Sequence, residues 1–202
     1  MKKIQFGVID YGLGNVGSVV SFLKRLNFYA LVSRNPKELE KVDILILPGV
    51  GAFQPALTSL KEAGLDKFIP QCAKSARPII GICLGMQLLG RSSRENGFYK
   101  GLNIFNVDVL PLRSQGWHIG WNSVKPIGKS ALSAALVDKD FYFNHAYCFQ
   151  EDNPSTVGET RLDGYSFPSI MKNKNVIGLQ FHPEKSQQAG LDFFQHLVAS
   201  IT

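Results

Sequence analysis

The sequence predicts an α/β fold: an open, mixed but mainly parallel sheet with helices on both faces. Two short runs, residues 43–48 (Asp-Ile-Leu-Ile-Leu-Pro) and 78–82 (Pro-Ile-Ile-Gly-Ile), are apolar on both alternating sides. Strands covered on both faces of a parallel sheet read this way. Stretches with apolar residues at helical spacing separate the runs, which gives strand–helix–strand units with right-handed crossovers. The second half changes character. Its apolar runs follow one another through turns, which points to antiparallel or mixed strands added to the sheet.

Each element has its own signal. Residues 4–9 form the first strand, and Asp10-Tyr-Gly-Leu-Gly-Asn15 is the turn that leaves it. Apolar side chains at Val16, Val19, Val20, Leu23 and Leu26 place a helix over 16–26. Residues 29–33 make a second strand, and Asn35-Pro36 with Glu38 is a short helix start. After the buried strand at 43–48, residues 57–76 are mostly helical with a break near Pro70. Strand 78–82 leads into a helix from Met86 onward. Segments 103–111, 120–124, 141–149 and 176–181 are strands, and 190–198 is the closing helix. No internal repeat or linker interrupts the chain, so residues 1–202 are expected to form one domain with a substantial core.

Composition narrows the function. Apolar residues make up 45% and charged residues 19%, which is a globular balance. No apolar run approaches the roughly 18 residues of a membrane span, and residues 1–6 run into a polar turn unlike a secretory signal. The expected location is therefore the cytoplasm, away from any membrane. The net charge is +6, yet the basic residues are scattered over Lys2, Lys3, Lys24, Arg25, Arg91, Arg94, Lys172 and Lys174. That distribution argues against nucleic-acid binding and suits an ordinary surface or an acidic protein partner. Cys72, Cys83 and Cys148 have no metal-ligand spacing and cannot all pair, so a reducing compartment fits them. No two of the four histidines have His-x-x-x-His spacing, so neither metal nor cofactor is expected.

The chemistry centres on Cys83, in Gly81-Ile-Cys-Leu-Gly85 at a strand-to-helix corner. Glycines on both sides let neighbouring backbone approach closely, as in a serine nucleophile elbow. The N-terminal amides of a following helix favour a thiolate, and the Leu84 N–H is placed to meet a developing oxyanion. His182 ends an apolar strand before Pro183 and can serve as the base, with Glu184 orienting its imidazole. The contexts of His118, His145 and His196 are weaker. Pro48-Gly-Val-Gly-Ala-Phe53 follows a buried strand directly, where a ligand loop of an open α/β sheet belongs. Gly12, Gly14 and Gly17 do not complete a dinucleotide fingerprint. A buried structural cysteine stays open as the alternative at this level.

Five segments together carry a resemblance: Ile9-Asp-Tyr-Gly-Leu-Gly-Asn15, Leu47-Pro-Gly-Val-Gly-Ala-Phe53, Gly81-Ile-Cys-Leu-Gly-Met-Gln-Leu-Leu89, His118-Ile-Gly-Trp-Asn122 and Gln180-Phe-His-Pro-Glu-Lys-Ser-Gln187. Over nearly its whole length the chain resembles the class I glutamine amidotransferases, and among them the glutaminase subunits of imidazole glycerol phosphate synthases. The resemblance implies a catalytic Cys83, His182 and Glu184. It implies hydrolysis of L-glutamine through a γ-glutamyl thioester, and an oxyanion site at Gly49, Val50, Gly51 and Leu84. Gln87 and Ser186 would bind substrate, Ser186 at the α-amino acid end. Trp121, Asn122, Tyr142 and Lys185 would lie near the partner interface and ammonia entrance. The partner implied is a (β/α)8 cyclase that uses the ammonia to form imidazole glycerol phosphate for histidine synthesis.

The family pattern is broken in three places. Ser92-Ser-Arg-Glu-Asn96 stands where Ser-Glu-Glu is common, Trp117 replaces a usual proline, and Phe143-Asn-His-Ala-Tyr147 replaces Phe-Val-His-Ser-Tyr. These departures keep open a paralogous role, the supply of ammonia to a sugar amidotransferase in a surface-sugar pathway. A cysteine peptidase-like hydrolase and a non-enzymatic interaction protein are the readings from other classes.

Overall fold

The computed structural model describes residues 4–113, 116–128, 132–150 and 153–202. Lys2 and Lys3, counted above among the scattered basic residues, lie outside them.

The first half runs β1 (Gln5–Ile9), α1 (Val16–Arg25), β2 (Tyr29–Ser33), α2 (Pro36–Leu39), β3 (Ile44–Leu47), α3 (Phe53–Glu62), α4 (Leu65–Lys74), β4 (Ile79–Ile82) and α5 (Leu84–Leu88). The strands then come closer together: β5 (Ser92–Ser93), β6 (Tyr99–Lys100), β7 (Asp108–Pro111), β8 (His118–Ser123), β9 (Lys125–Pro126), β10 (Asp140–His145) and β11 (Tyr147–Phe149). The hairpin β12 (Thr156–Leu162) and β13 (Tyr165–Asn173) follows, then β14 (Val176–Leu179) and α6 (Gln187–Ala199).

The main sheet has the order β2-β1-β3-β4-β14-β13-β12-β9. Its first five strands are parallel and the rest antiparallel, which is the mixed, mainly parallel sheet the sequence predicts. Two smaller sheets, β10-β8 and β11-β7-β5-β6, stand beside it.

Alternation along the strands divides the core between the two faces. Phe6, Val8, Ile44, Ile46, Ile80 and Ile82 pack with Val19, Phe22 and Leu23 of α1 and Phe193 and Phe194 of α6. Ile9, Leu45, Leu47 and Ile79 pack on the other face with Phe53 and Leu57 of α3, Phe68 and Ile69 of α4, and Met86 of α5. Both faces of these strands are buried, so the runs in the sequence are continuously apolar.

Several boundaries differ from the expectation. The helical stretch at 57–76 breaks at Gly64, whose φ of +68° costs little only for glycine, while Pro70 sits inside α4. The segment 141–149 is two strands in different sheets, and 103–111 is strand only from Asp108. The β12–β13 hairpin turns on Asp163 and Gly164, at φ of +46° and +85°. That two-residue loop has the sequence and left-handed backbone of a tight hairpin turn.

Candidate active site

β4 ends at Ile82 and α5 begins at Leu84, so Cys83 alone turns the corner, at φ +53° and ψ −111°. Such a backbone costs about 1–3 kcal/mol in a non-glycine residue and persists only where its surroundings over-determine it. Here the Cys83 N–H donates to the Leu179 carbonyl at 2.7 Å, and its carbonyl accepts from the Gln87 N–H at 3.1 Å. The corner also packs directly on β3. A Cβ at Gly85 would lie 1.8 Å from the Leu47 carbonyl oxygen, so only glycine fits there. α5 is five residues long, so the helix dipole expected to favour the thiolate is a minor influence.

His182 follows β14, where its N–H donates to the Tyr142 carbonyl at 2.8 Å. The 3₁₀ turn Pro183–Lys185 folds Glu184 back, and Glu184 Oε1 accepts from His182 Nδ1 at 2.8 Å. The other ring nitrogen is left for Cys83, whose charge is the largest of the influences that raise the imidazole pKa. Burial opposes the charged imidazole. The Cys83 charge and the Glu184 carboxylate outweigh it and push the pKa up to about 10. The arrangement thus favours the charged imidazole. The His182 and Glu184 side chains behind the sulfur are 2% exposed, and Glu184 Oε2 is buried with no hydrogen-bond partner among the described residues.

Cys83 opens onto a cavity of about 130 Å³ lined by Val50, Gly51, Leu84, Gln87, Glu95, Trp117 and residues 144–147. Three of the four residues expected at the oxyanion site therefore face the sulfur's cavity. Gly49 lies beneath the loop: a Cβ there would come 2.8 Å from the Tyr11 hydroxyl and 2.7 Å from the Gly85 nitrogen. Tyr11 Oη in turn donates to the Pro48 carbonyl at 2.8 Å, which pins the start of the loop. A larger concavity of about 470 Å³, lined in part by Ile127, Thr156 and Pro168, has no cysteine or histidine among its described lining residues.

The remaining expected residues divide. Gln87 lines the cavity, with Nε2 donating to the Tyr147 carbonyl at 2.7 Å. Ser186 is not at the cavity. It is fully buried, its hydroxyl donates to the His182 carbonyl at 2.6 Å and accepts from the Tyr142 N–H at 3.0 Å. It braces the turn that carries His182 and Glu184.

Trp121, Tyr142 and Lys185 form one exterior cluster. Trp121 meets Tyr142 edge-on at 5.9 Å between ring centroids, and Lys185 Nζ lies 5.7 Å from the Tyr142 centroid. Asn122 is on the opposite side of β8, where Nδ2 pairs with His118 Nε2 at 3.3 Å and donates to the Arg161 carbonyl at 3.1 Å. Strand alternation separates it from its neighbour Trp121.

Sequence reasoning passed over three residues. Glu95 reaches the cavity while Oε2 accepts from the Phe53 N–H at 2.6 Å, at the end of the glycine loop. Its only signal was its place in the irregular segment 92–96. His118 and His145 are buried and hydrogen-bonded to each other at 3.0 Å, Nδ1 to Nε2. They lie in unrelated sequence contexts, and only the β8–β10 register pairs them.

Comparison with known proteins agrees with this geometry. The sequence profile described as glutamine amidotransferase class-I matches residues 7–197. The imidazole glycerol phosphate synthase subunit HisH of Geobacillus sp. (strain WCH70) is 37% identical over 203 aligned positions, covering 96% of each chain. The subunit of the same description from Symbiobacterium thermophilum is 41% identical over 191 positions, covering 91% of this chain and 88% of its own. The solved structure of PurLQS from Thermotoga maritima superposes with a TM-score of 0.78 at 17% identity, covering 100% of both chains. A structure described as a glutamine amidotransferase gives 0.76 at 20% identity, covering 95% of this chain and 97% of the other. At those identities the structural likeness speaks to the fold alone.

Proposed function

The chain belongs to the class I glutamine amidotransferase family, and from that membership we propose the reaction its own residues perform. The function is that of the glutaminase subunit of an imidazole glycerol phosphate synthase, which releases ammonia from L-glutamine for histidine biosynthesis. Cys83 Sγ, held as a thiolate by His182, attacks the side-chain amide carbon of glutamine. The oxyanion forms beside the Leu84 amide and the Gly49-Val50-Gly51 loop. His182 gives its proton to the leaving nitrogen, and ammonia departs from a γ-glutamyl thioester. Water, deprotonated by His182, then attacks the thioester and releases glutamate and the thiol. Glu184 keeps the imidazole oriented and stabilises its charged form through both steps. Glu95 offers a carboxylate on the cavity wall to the substrate's α-ammonium group.

One observation carries this reading: a cysteine on a strained corner, electrostatically coupled to a carboxylate-backed histidine, under a very small cavity. The cavity holds about 130 Å³, below the roughly 300–1,000 Å³ of a drug-sized ligand site. That size suits one amino acid and argues against a peptide substrate. The Trp121–Tyr142–Lys185 cluster, with Tyr142 next to the His182 ring at 6.5 Å, is the proposed docking point for the cyclase and the ammonia entrance.

The test is glutamate release from L-glutamine with the cyclase and its nucleotide present. Cys83→Ala is expected to lower the rate at least about 1,000-fold. A rate like that of the parent chain would overturn the assignment.

A second acceptor, a sugar amidotransferase, draws support from one observation. Two of the departures from the family pattern, Trp117 and Asn144, lie together on the cavity wall, and Arg94 stacks over Phe98 just before Glu95. Complementation of a histidine auxotroph lacking its own glutaminase subunit separates the two. Growth favours the cyclase, and no growth by a stable, glutamine-hydrolysing chain favours the sugar enzyme.

A further inference from the structure

Gln180 is fully buried between the nucleophile and the cavity wall. Its Nε2 points at Cys83 Sγ from 3.8 Å, and its Oε1 accepts from Gln87 Nε2 at 3.2 Å. The direction of this amide is fixed. Gln87 Nε2 also donates to the Tyr147 carbonyl at 2.7 Å, and a carbonyl can only accept. The nitrogen of Gln87 therefore has to face Tyr147, its second hydrogen goes to Gln180 Oε1, and Gln180 presents its own N–H to the sulfur.

The same carbonyl anchors a longer chain. Tyr147 O accepts a second hydrogen bond, from His145 Nδ1 at 2.9 Å, so His145 Nε2 is an acceptor and takes the Nδ1 proton of His118 at 3.0 Å. His118 Nε2 then accepts from Asn122 Nδ2 at 3.3 Å. The Asn122 amide is itself oriented by two backbone groups: Nδ2 donates to the Arg161 carbonyl at 3.1 Å, and Oδ1 accepts from the Ser123 N–H at 2.8 Å. Every proton from Asn122 to Cys83 is thus assigned by backbone groups at three points. Both rings are neutral in this arrangement. His118 stacks on Phe143 at 4.6 Å between centroids, and burial lowers the pKa of both, that of His145 to about 3.

We propose that Gln180 is a further catalytic residue, whose side-chain amide stabilises the negative charge on Cys83 Sγ, and that Gln87, its own amide fixed by the Tyr147 carbonyl, is the positioning residue that holds this amide with its donor toward the sulfur. The sulfur sits between a donor and an acceptor. As a thiol it donates to the Asn144 carbonyl at 3.7 Å, and as a thiolate it accepts from Gln180. A hydrogen bond to a charged group is worth more than one between neutral groups, so the amide shifts the balance toward the reactive form. The inference rests on Cys83 being the nucleophile.

The experiment is the rate of Cys83 alkylation by iodoacetamide across pH, read by peptide mass spectrometry, together with glutamine kinetics in the presence of the cyclase. Gln180→Leu is expected to slow alkylation at pH 7 about tenfold, the effect of losing one hydrogen bond to a charge, and to move the pH midpoint upward. It should lower kcat and leave KM for glutamine within about twofold. Gln180→Glu keeps the shape and puts a carboxylate beside the sulfur; it tests the same point if the leucine variant does not fold, and should slow alkylation at least as much. Gln87→Met, which removes the donor to Gln180 Oε1, is expected to slow it about threefold with a smaller upward midpoint shift. An unchanged rate and midpoint in a folded Gln180 variant would overturn the role of Gln180. An unchanged midpoint in a folded Gln87→Met variant would overturn the positioning role of Gln87. Glutamine turnover surviving complete alkylation of Cys83 would instead overturn the nucleophile assignment, a distinct result.

Discussion

The floor of the cleft and its wall hold the reacting sulfur by different means. The floor is the carboxyl end of β3, β4 and β14, where apolar strands and glycines bring backbone against backbone until only one path remains for Cys83. The wall is the β8–β10 ribbon with β11, where histidines, amides and carbonyls are buried and joined by hydrogen bonds. Steric exclusion fixes where the sulfur is. The polar chain fixes which way the dipoles around it point. The first is insensitive to pH and the second is not, so the two can be pulled apart.

Breaking the floor should have the largest effect. Gly85→Ala forces a Cβ to 1.8 Å from the Leu47 carbonyl, a backbone atom that cannot step aside. We expect a loss of more than about 3 kcal/mol in urea unfolding, or no folded protein at all. Normal stability would mean that the corner is not packed as described.

The histidines of wall and floor should give stability slopes of opposite sign. His145 is depressed to about 3 from an ordinary value of 6.5, so between those values the unfolded chain binds the extra proton. Its contribution is present above pH 6.5 and is lost as pH falls, about 3 kcal/mol between pH 6.5 and 4. His118 is lowered too and adds in the same sense. His145→Phe should flatten this acid limb, at a cost of about 1–3 kcal/mol at pH 7 from the His118 donor it leaves unpaired. His182 is raised to about 10, so its contribution is full below pH 6.5 and is lost as pH rises through about 10. Cys83→Ser, which removes the thiolate partner, should flatten that alkaline limb. Thermal unfolding from pH 4 to pH 10 reads both limbs, and slopes of the same sign would contradict the assignment.

The same contrast explains what was legible in the sequence. Floor elements announce themselves locally: residues 44–48 and 78–82 are unbroken apolar runs, and Gly81 and Gly85 bracket the cysteine at fixed spacing. His182 and Glu184 were legible for the same reason, being two residues apart at a strand end. The wall is assembled from residues distant in the chain. His118 and His145 are 27 residues apart and meet only through the β8–β10 register, which no local pattern encodes. The two backbone partners of the Ser186 hydroxyl were not legible, because proximity to His182 in sequence does not give the direction of a side chain in a tight turn. Gln180 lay inside a recognised motif, but its donor direction follows from the Tyr147 carbonyl on another strand.

The central claim is that Cys83, and neither Cys72 nor Cys148, is activated by His182 beneath a glutamine-sized cavity. The most direct measurement is covalent labelling by a glutamine analogue bearing a diazoketone in place of the side-chain amide, with the cyclase and its nucleotide present, read by intact and peptide mass. The expected result is one adduct per chain on the peptide containing Cys83, blocked by excess L-glutamine and slowed at least about 100-fold in His182→Ala. Labelling at Cys72 or Cys148, or an adduct on Cys83 that forms at the same rate without His182, would contradict it.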